Sequence, residues 1–405
     1  MVMADTLEDL LTHRRAPRGF LEWSLRGLSV PASWVYAGMT HLRNAAYDHA
    51  LLPVAPAPEG VLIISVGNIT LGGAGKTPLV VALAERLISR GHRVGVVLRG
   101  YRSPHERHGK GEPLLVRAAG GALTTDPGHA GDEAVMIARM LPGAAVAVTP
   151  QRHAAVAMLA AAPHSCEAIV LDDAFQHRRM QRHVDLVLLD LTLRPEARRS
   201  FPLGYLREGP EALRRAHAVV VYTEGRSHSD ARNGAANWAG RHHPAKVLVA
   251  QRRLRGLVPL RPDAPLLPDD GEGCLPTGRW HARWFAGIAH PHRLAASLLS
   301  AGASPATITG RAWPDHHDFT PAELADIGTE FRRWQQNLPP GEPAFLVTTA
   351  KDAARLTGRE HELGNMAYAL IMDAELVDEP AWDAALERPS SASETSREVK
   401  PRQAT

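Results

Sequence analysis

One stretch constrains the fold of this chain more than any other: Val66-Gly67-Asn68-Ile69-Thr70-Leu71-Gly72-Gly73-Ala74-Gly75-Lys76-Thr77-Pro78. The continuous apolar run Val61–Val66 before it reads as a buried strand. After it, Leu79–Ile88 reads as a helix, with Leu79, Leu83 and Leu87 on one face and Gly91 as its stop. A glycine-rich turn between strand and helix is the context a phosphate loop requires. Its glycines let backbone N–H groups converge on phosphate oxygens, and the helix N-terminus adds partial positive charge. Lys76 can then reach the β- and γ-phosphates of a triphosphate, and the Thr77 hydroxyl can bind Mg²⁺. The strict motif has glycine five residues before Gly75, where this chain has Thr70. The candidate phosphate-binding segment is therefore a variant running over Thr70, Leu71, Gly72, Gly73, Ala74, Gly75, Lys76 and Thr77.

Apolar runs continue to alternate with helical segments. Strands are expected at Val94–Leu98, Ala145–Thr149, Ala168–Leu171, Val184–Leu189, Ala218–Tyr222 and Lys246–Ala250. Such runs separated by helices argue for an α/β fold with a parallel sheet covered on both faces. Arg261–Gly278, rich in Pro, Asp and Gly, reads as a connector. A second α/β set follows: strand Trp284–Ile288, helix Pro291–Ser300, strand Ala306–Thr309, helix Pro321–Leu338 and strand Ala344–Thr348. Residues 1–17 and the tail from Arg388 read as disordered. The resulting division is 18–58 amphipathic helical segment, 59–260 nucleotide-binding domain, 261–280 linker and 281–387 smaller α/β domain.

A formal charge of only +3 in 405 residues, with no long Lys/Arg run, argues against nucleic acid as a partner. Cys166 and Cys274 are far apart and lack zinc spacing, which fits a reducing compartment. The acidic start lacks a signal-peptide core, and no apolar run is long enough to span a bilayer. The expected location is the cytoplasm or the cytoplasmic face of a membrane. From Phe20 to Leu52, aromatic and aliphatic residues recur at helical spacing among Arg18, Arg26 and Arg43. This is either a helix packed on the domain or one lying in a membrane interface, and partial burial reconciles the two.

Further clusters carry chemistry. The apolar run ending in Asp172-Asp173 is the usual way to bring a carboxylate to Mg²⁺. Gly131-Asp132-Glu133 opens a helix, where a carboxylate can accept a proton, hold Mg²⁺ or simply cap. Phe175-Gln176-His177-Arg178-Arg179, Arg99-Gly100-Tyr101-Arg102 and Pro202-Leu203-Gly204-Tyr205-Leu206-Arg207-Glu208 bring cations to the sheet edge where α/β ligands bind. Asp315-His316-His317-Asp318 offers a general-base pair and not a metal site, because adjacent histidines do not converge on one ion. His105/His108 and His242/His243 read as solvated loops.

In order along the chain, VGNITLGGAGKTP (66–78), RGY (99–101), GDE (131–133), DDAFQH (172–177), PLGYLREGP (202–210), PDHHDF (314–319) and VTTAKD (347–352) resemble the tetraacyldisaccharide 4′-kinase family, the lipid A 4′-kinases. The Asn-x-Thr-x-Gly-Gly form of the loop is itself typical of that family. The resemblance, over about residues 20–375, implies transfer of the ATP γ-phosphate to the 4′-hydroxyl of an acylated glucosamine disaccharide 1-phosphate. It implies a monomeric, peripheral protein on the cytoplasmic face of the bacterial inner membrane, with two α/β domains joined by a β-ribbon. It assigns Lys76 and the loop to ATP; Thr77, Asp172, Asp173 and Glu133 to Mg²⁺; Asp132 to the base, supported by His316; and Tyr101, His177, Arg207 and Glu208 to the lipid head group. His290, Ala350 and Ala174 depart from the family pattern, which leaves contacts of the second domain open. Hinge closure bringing His316 to the site would exclude water.

Overall fold

The structure, a computed structural model, describes residues 20–387 except 72–74, 102, 243–245, 262–265, 267–274, 289–290 and 365; for 20–26 and 241 it describes the backbone alone. The readings for 1–17, the tail from 388, Gly72, Gly73, Ala74, Arg102, His243, Cys274, His290 and most of 261–280 fall outside the described residues.

The strands are β1 (Leu62–Asn68), β2 (Val94–Leu98), β3 (Leu114–Arg117), β4 (Ala145–Val148), β5 (Ala168–Asp172), β6 (Val184–Leu189), β7 (Ala218–Tyr222), β8 (Val247–Pro259), β9 (His281–Ala286), β10 (Thr309–Ala312), β11 (Ala344–Thr349) and β12 (Ala367–Val377). Parallel pairing dominates, as the continuous apolar runs require. The described residues form two compact units. One holds those up to Lys76, Leu171–Gln251 and the segment from Leu376; the other holds Thr77–Val170 and Arg252–Glu375.

In the first unit β1, β6, β7 and the start of β8 pair in parallel, in the registers Ile64↔Val184, Leu186↔Ala218 and Val219↔Val247. Their side chains enter a core with Ile69, Phe175, Leu213 and Trp238. The 29-residue helix Phe20–Asp48 belongs to this unit. It docks through small and polar groups. Ser33 Oγ donates to Ser200 O at 2.7 Å, Arg43 donates to Gln176 O at 2.8 Å, and Tyr36 meets Phe201 edge-on.

In the second unit β2 and β4 are parallel, whereas β3 is antiparallel to β4 with a register shift between Leu115 and Arg117. A second set runs β10, β9, β11, β12, all parallel. Trp280, Leu294, Leu298, Val347 and Leu370 fill its core. Helix Pro321–Gln335 starts on a capping box, with Thr320 and Glu323 bonding each other's backbone N–H.

Several expectations are corrected. The strand expected at Ala306–Thr309 lies instead at Thr309–Ala312. Thr307 is held in a turn, its N–H on Ser304 O at 3.2 Å and its hydroxyl 2.6 Å from His281 Nδ1, so its β-branched character does not extend the strand. The short run Lys246–Ala250 continues to Pro259 through exposed Gln251, Arg252 and Arg253, which hid the strand from an apolarity reading. β3 and β12 were not expected. His105 is not a solvated loop residue: it is buried in the short helix Pro104–His108, its Nε2 2.8 Å from Glu112 O.

Candidate active site

The first unit carries the phosphate-loop lysine. β1 ends at Asn68, and the chain passes so close to the segment after β5 that a Cβ on Gly67 would stand 2.6 Å from Phe175 Cβ. Gln176 Nε2 donates to Asn68 O at 2.8 Å, joining the two segments. Thr70, which stands in place of the motif glycine, is buried; its hydroxyl accepts from Asn68 Nδ2 at 3.1 Å. Leu71 N–H donates to Tyr205 O and Arg207 N–H to Ile69 O, tying the loop to the Arg207 segment. At the loop's end Gly75 has φ +85°, and Tyr222 Oη donates to its carbonyl at 2.8 Å.

Lys76 opens helix Lys76–Ser89. Its Nζ lies 3.3 Å from Asn68 Oδ1 and 3.3 Å from Asp173 Oδ1. Asp173, at φ +47°, also accepts from Arg207 at 3.0 Å. Asp172, the last residue of β5, is buried. Glu208 is 3% exposed and takes Arg215 at 2.6 Å and Asn44 Nδ2 at 2.9 Å. His177 is half-buried; its N–H donates to Ala174 O and its carbonyl accepts from Arg182. Ala174, one of the departures from the family pattern, is fully buried.

The second unit carries the expected base. Asp132 opens helix Asp132–Met140 after Gly131, whose φ of +95° suits glycine. Its Oδ1 accepts from Glu133 N–H at 2.9 Å. Its Oδ2 faces three nitrogens: Arg355 Nη2 at 2.6 Å, His316 Nδ1 at 3.3 Å and Lys351 Nζ at 3.8 Å. Burial alone would raise this carboxyl, but Lys351, Arg355 and His316 outweigh it and hold it below the ordinary carboxylate range. His316 sits at φ +61°, its Nε2 3.7 Å from Asp315 Oδ2 and 3.4 Å from Lys351 Nζ. Glu133 and Tyr101 are exposed.

The structure thus joins Lys76, Asp173 and Arg207 within one unit, and Asp132 with His316 within the other. Lys351, Asp352 and Arg355 were missed as site residues. Their signal was present: Lys351 and Arg355 are four apart in a helix, so they share a face. Within the first unit Asp172 and Asp173, at the end of β5, are hard oxygen donors of the kind that suits Mg²⁺. Among the described residues no group of three or more His, Cys, Asp or Glu gathers as a metal cage. Mg²⁺ typically uses one or two carboxylates plus substrate phosphates, and the aspartate pair at the end of β5 fits that requirement.

A buried strand, a glycine-rich stretch of sequence and a helix headed by Lys-Thr, with aspartates at a strand end, are the features of an α/β nucleotide-binding protein of the phosphate-loop type. Residues 25–390 match the family described as Tetraacyldisaccharide-1-P 4'-kinase (LpxK). The chain is 36% identical over 353 residues to the tetraacyldisaccharide 4'-kinase of Anaeromyxobacter dehalogenans (strain 2CP-C), covering 83% of each protein. To that of Anaeromyxobacter sp. (strain Fw109-5) it is 35% identical, over 90% of this chain and 91% of the relative. Among solved structures, LpxK from Aquifex aeolicus in complex with ATP superposes with a TM-score of 0.65 at 24% identity, covering 88% of this chain and 96% of that one. The chain belongs to the tetraacyldisaccharide-1-P 4'-kinase family.

Proposed function

We propose that this protein transfers the γ-phosphate of ATP to the 4′-hydroxyl of a tetraacylated glucosamine disaccharide 1-phosphate, a step of lipid A biosynthesis. Family membership carries the reaction; the observation that carries its placement on this chain is Lys76 at the head of its helix, bonded to Asn68 and Asp173.

Phosphoryl transfer needs charge neutralisation and alignment more than strong base chemistry. Lys76 and the amides of Thr70–Thr77 stabilise the γ-phosphoryl. Thr77, Asp172, Asp173 and Glu133 are the residues that would hold Mg²⁺, and the ion would supply further neutralisation. Asp132 orients the acceptor hydroxyl and takes its proton late, with His316 as its support. Arg207, Glu208, His177 and Tyr101 position the sugar. A cavity of about 280 Å³ supports this for the first two: Arg207, Glu208, Arg214 and Arg215 line it together with Thr40, His41 and Asn44 of the N-terminal helix.

That helix supports a membrane-facing role. Leu28, Val35, Met39 and Leu42 lie along one side, 63–72% exposed, while Ser29 and Ser33 are buried. A helix that buries serines and exposes leucines has its apolar side free for a lipid surface. No described helix is long and apolar enough to cross a membrane. We read the protein as a peripheral one at the cytoplasmic face of the inner membrane, acting as a monomer. Its working division is 18–58, 59–260, linker 261–280 and 281–387, which limited proteolysis tests.

The deciding experiment incubates purified protein with Mg-ATP and lipid A disaccharide 1-phosphate and weighs the product. A mass gain of one phosphate is expected. No gain under conditions where Mg-ATP binds overturns the reading.

A further inference from the structure

Arg355 ties three segments of the second unit together. Its Nε and Nη2 both donate to Asp132 Oδ2, at 2.9 and 2.6 Å. Its Nη1 donates to Gly287 O at 2.7 Å and to Asp352 Oδ1 at 2.6 Å. The side chain is only 8% exposed. Asp352 is fixed in turn, accepting from Thr349 Oγ1 at 2.8 Å and from Gly287 N–H at 3.2 Å. His316 refers to the same point: its backbone N–H donates to Gly287 O at 3.1 Å. Gly287 O is thus a shared anchor, and Arg355 carries its position across to the carboxylate that faces His316 Nδ1.

We propose that Arg355 is a positioning residue for phosphoryl transfer, locking the Asp132 carboxylate in register with His316 so that the acceptor hydroxyl meets a proton acceptor already in place. This rests on the role proposed above for Asp132. The geometry asks for arginine. A planar guanidinium presents several donors in a fixed fork, so one side chain meets a carboxylate, a carbonyl and a second carboxylate at once. Lysine is a point charge on a flexible stem, and Lys351, already beside Asp132, supplies charge without that fork. Reacting groups tolerate little misplacement: an error of about 1 Å costs on the order of 100-fold in rate.

The test uses the full chain with ATP and the disaccharide lipid, comparing Arg355→Ala, Arg355→Lys, Asp132→Asn and Asp132→Asn/Arg355→Ala. Arg355→Ala is expected to lower kcat by about 100-fold with KM for ATP little changed. Arg355→Lys stays well below the parent. Millimolar methylguanidinium restores part of the Arg355→Ala rate, which it does not do for a merely loosened fold. The double variant is no slower than Asp132→Asn within about twofold, because the two residues act as one unit. Losses that multiply in the double variant, or a full rate in Arg355→Lys, overturn the proposal. If Arg355→Ala does not fold, the same cycle is run with Arg355→Lys. A parent protein that transfers no phosphate refutes the proposed function; a parent that transfers while the losses multiply refutes this inference alone.

Discussion

Lys76 Nζ and Arg207 Nη1 meet on one carboxylate, Asp173, at 3.3 and 3.0 Å. The lysine at the head of its helix and the arginine that lines the cavity therefore share a single counter-charge. Asp173 is about a third exposed, so neither pair is a strong contributor to stability. Replacing Lys76 with Ala is expected to lower phosphate transfer by about 100- to 1,000-fold, the usual loss when one donor to developing charge is removed. Steady-state turnover at saturating acceptor checks this, and a loss below tenfold refutes the role of Lys76.

Asp132 is held below the ordinary carboxylate range because the pull of Lys351, Arg355 and His316 outweighs burial. An isosteric Asp132→Asn removes the proton acceptor while leaving Arg355 a carbonyl oxygen. Turnover is expected to fall by about 100- to 10,000-fold, the range for loss of a general base. Nucleotide affinity, read by calorimetry, stays close to that of the parent. A large loss of affinity with little loss of turnover would reverse the assignment.

The Arg139–Glu360 pair, 3.0 Å apart, has side chains 1% and 0% exposed. Arg139 also donates to Ala353 O, Thr357 Oγ1 and Arg261 O. Arg139→Met leaves a carboxylate buried without its partner and should cost about 3–5 kcal/mol. Arg139→Met/Glu360→Met removes both charges and should recover most of that. Urea unfolding of the three proteins decides; a double variant less stable than the single one contradicts the account.

Arg255 serves two carboxylates, Glu85 at 2.5 Å and Asp373 at 2.8 Å. Burial pushes both above their ordinary values of 4.5 and 3.8, against the pull of the arginine. The folded state therefore binds their protons more tightly than the unfolded chain. Their contribution is fully present below the unfolded values and is lost as pH rises through the folded ones. Stability of the parent relative to Glu85→Gln should therefore decline as pH is raised from about 4 toward neutrality. A difference that grows over that range, measured by denaturant midpoints, would show the opposite linkage.

Serine at Val35, Met39 and Leu42 together should cut partition onto anionic lipid vesicles by on the order of 100-fold or more, since each buried apolar side chain is worth about 1.5–3 kcal/mol. The thermal midpoint should move little, because these residues are exposed in the protein. Co-sedimentation with vesicles reads the first and calorimetry the second. Unchanged partition would remove the membrane role of this helix.

The phosphate loop, Asp172 and Asp173 at a strand end and Asp132 at a helix start were legible because their chemistry is local: each is a short run with fixed spacing. Long buried strands such as β6 and β7 were legible for the same reason, since burial on both faces demands unbroken apolar text. β10 was misread by three residues because Thr307 spends its hydroxyl on His281, a partner 26 positions away. The antiparallel β3 and the burial of His105 carry no such pattern.

By itself the sequence determined that a Lys-Thr pair opens the helix after strand β1 and that an aspartate ends β5. Backbone geometry and residue chemistry within a few positions suffice for that. Only the tertiary structure decided that Arg207 shares Asp173 with Lys76, and that Arg355 bonds both Asp132 and Gly287. Those contacts join residues 34 and 223 positions apart. A charged side chain chooses its partner by distance in space after the core has packed, and spacing along the chain does not record that choice.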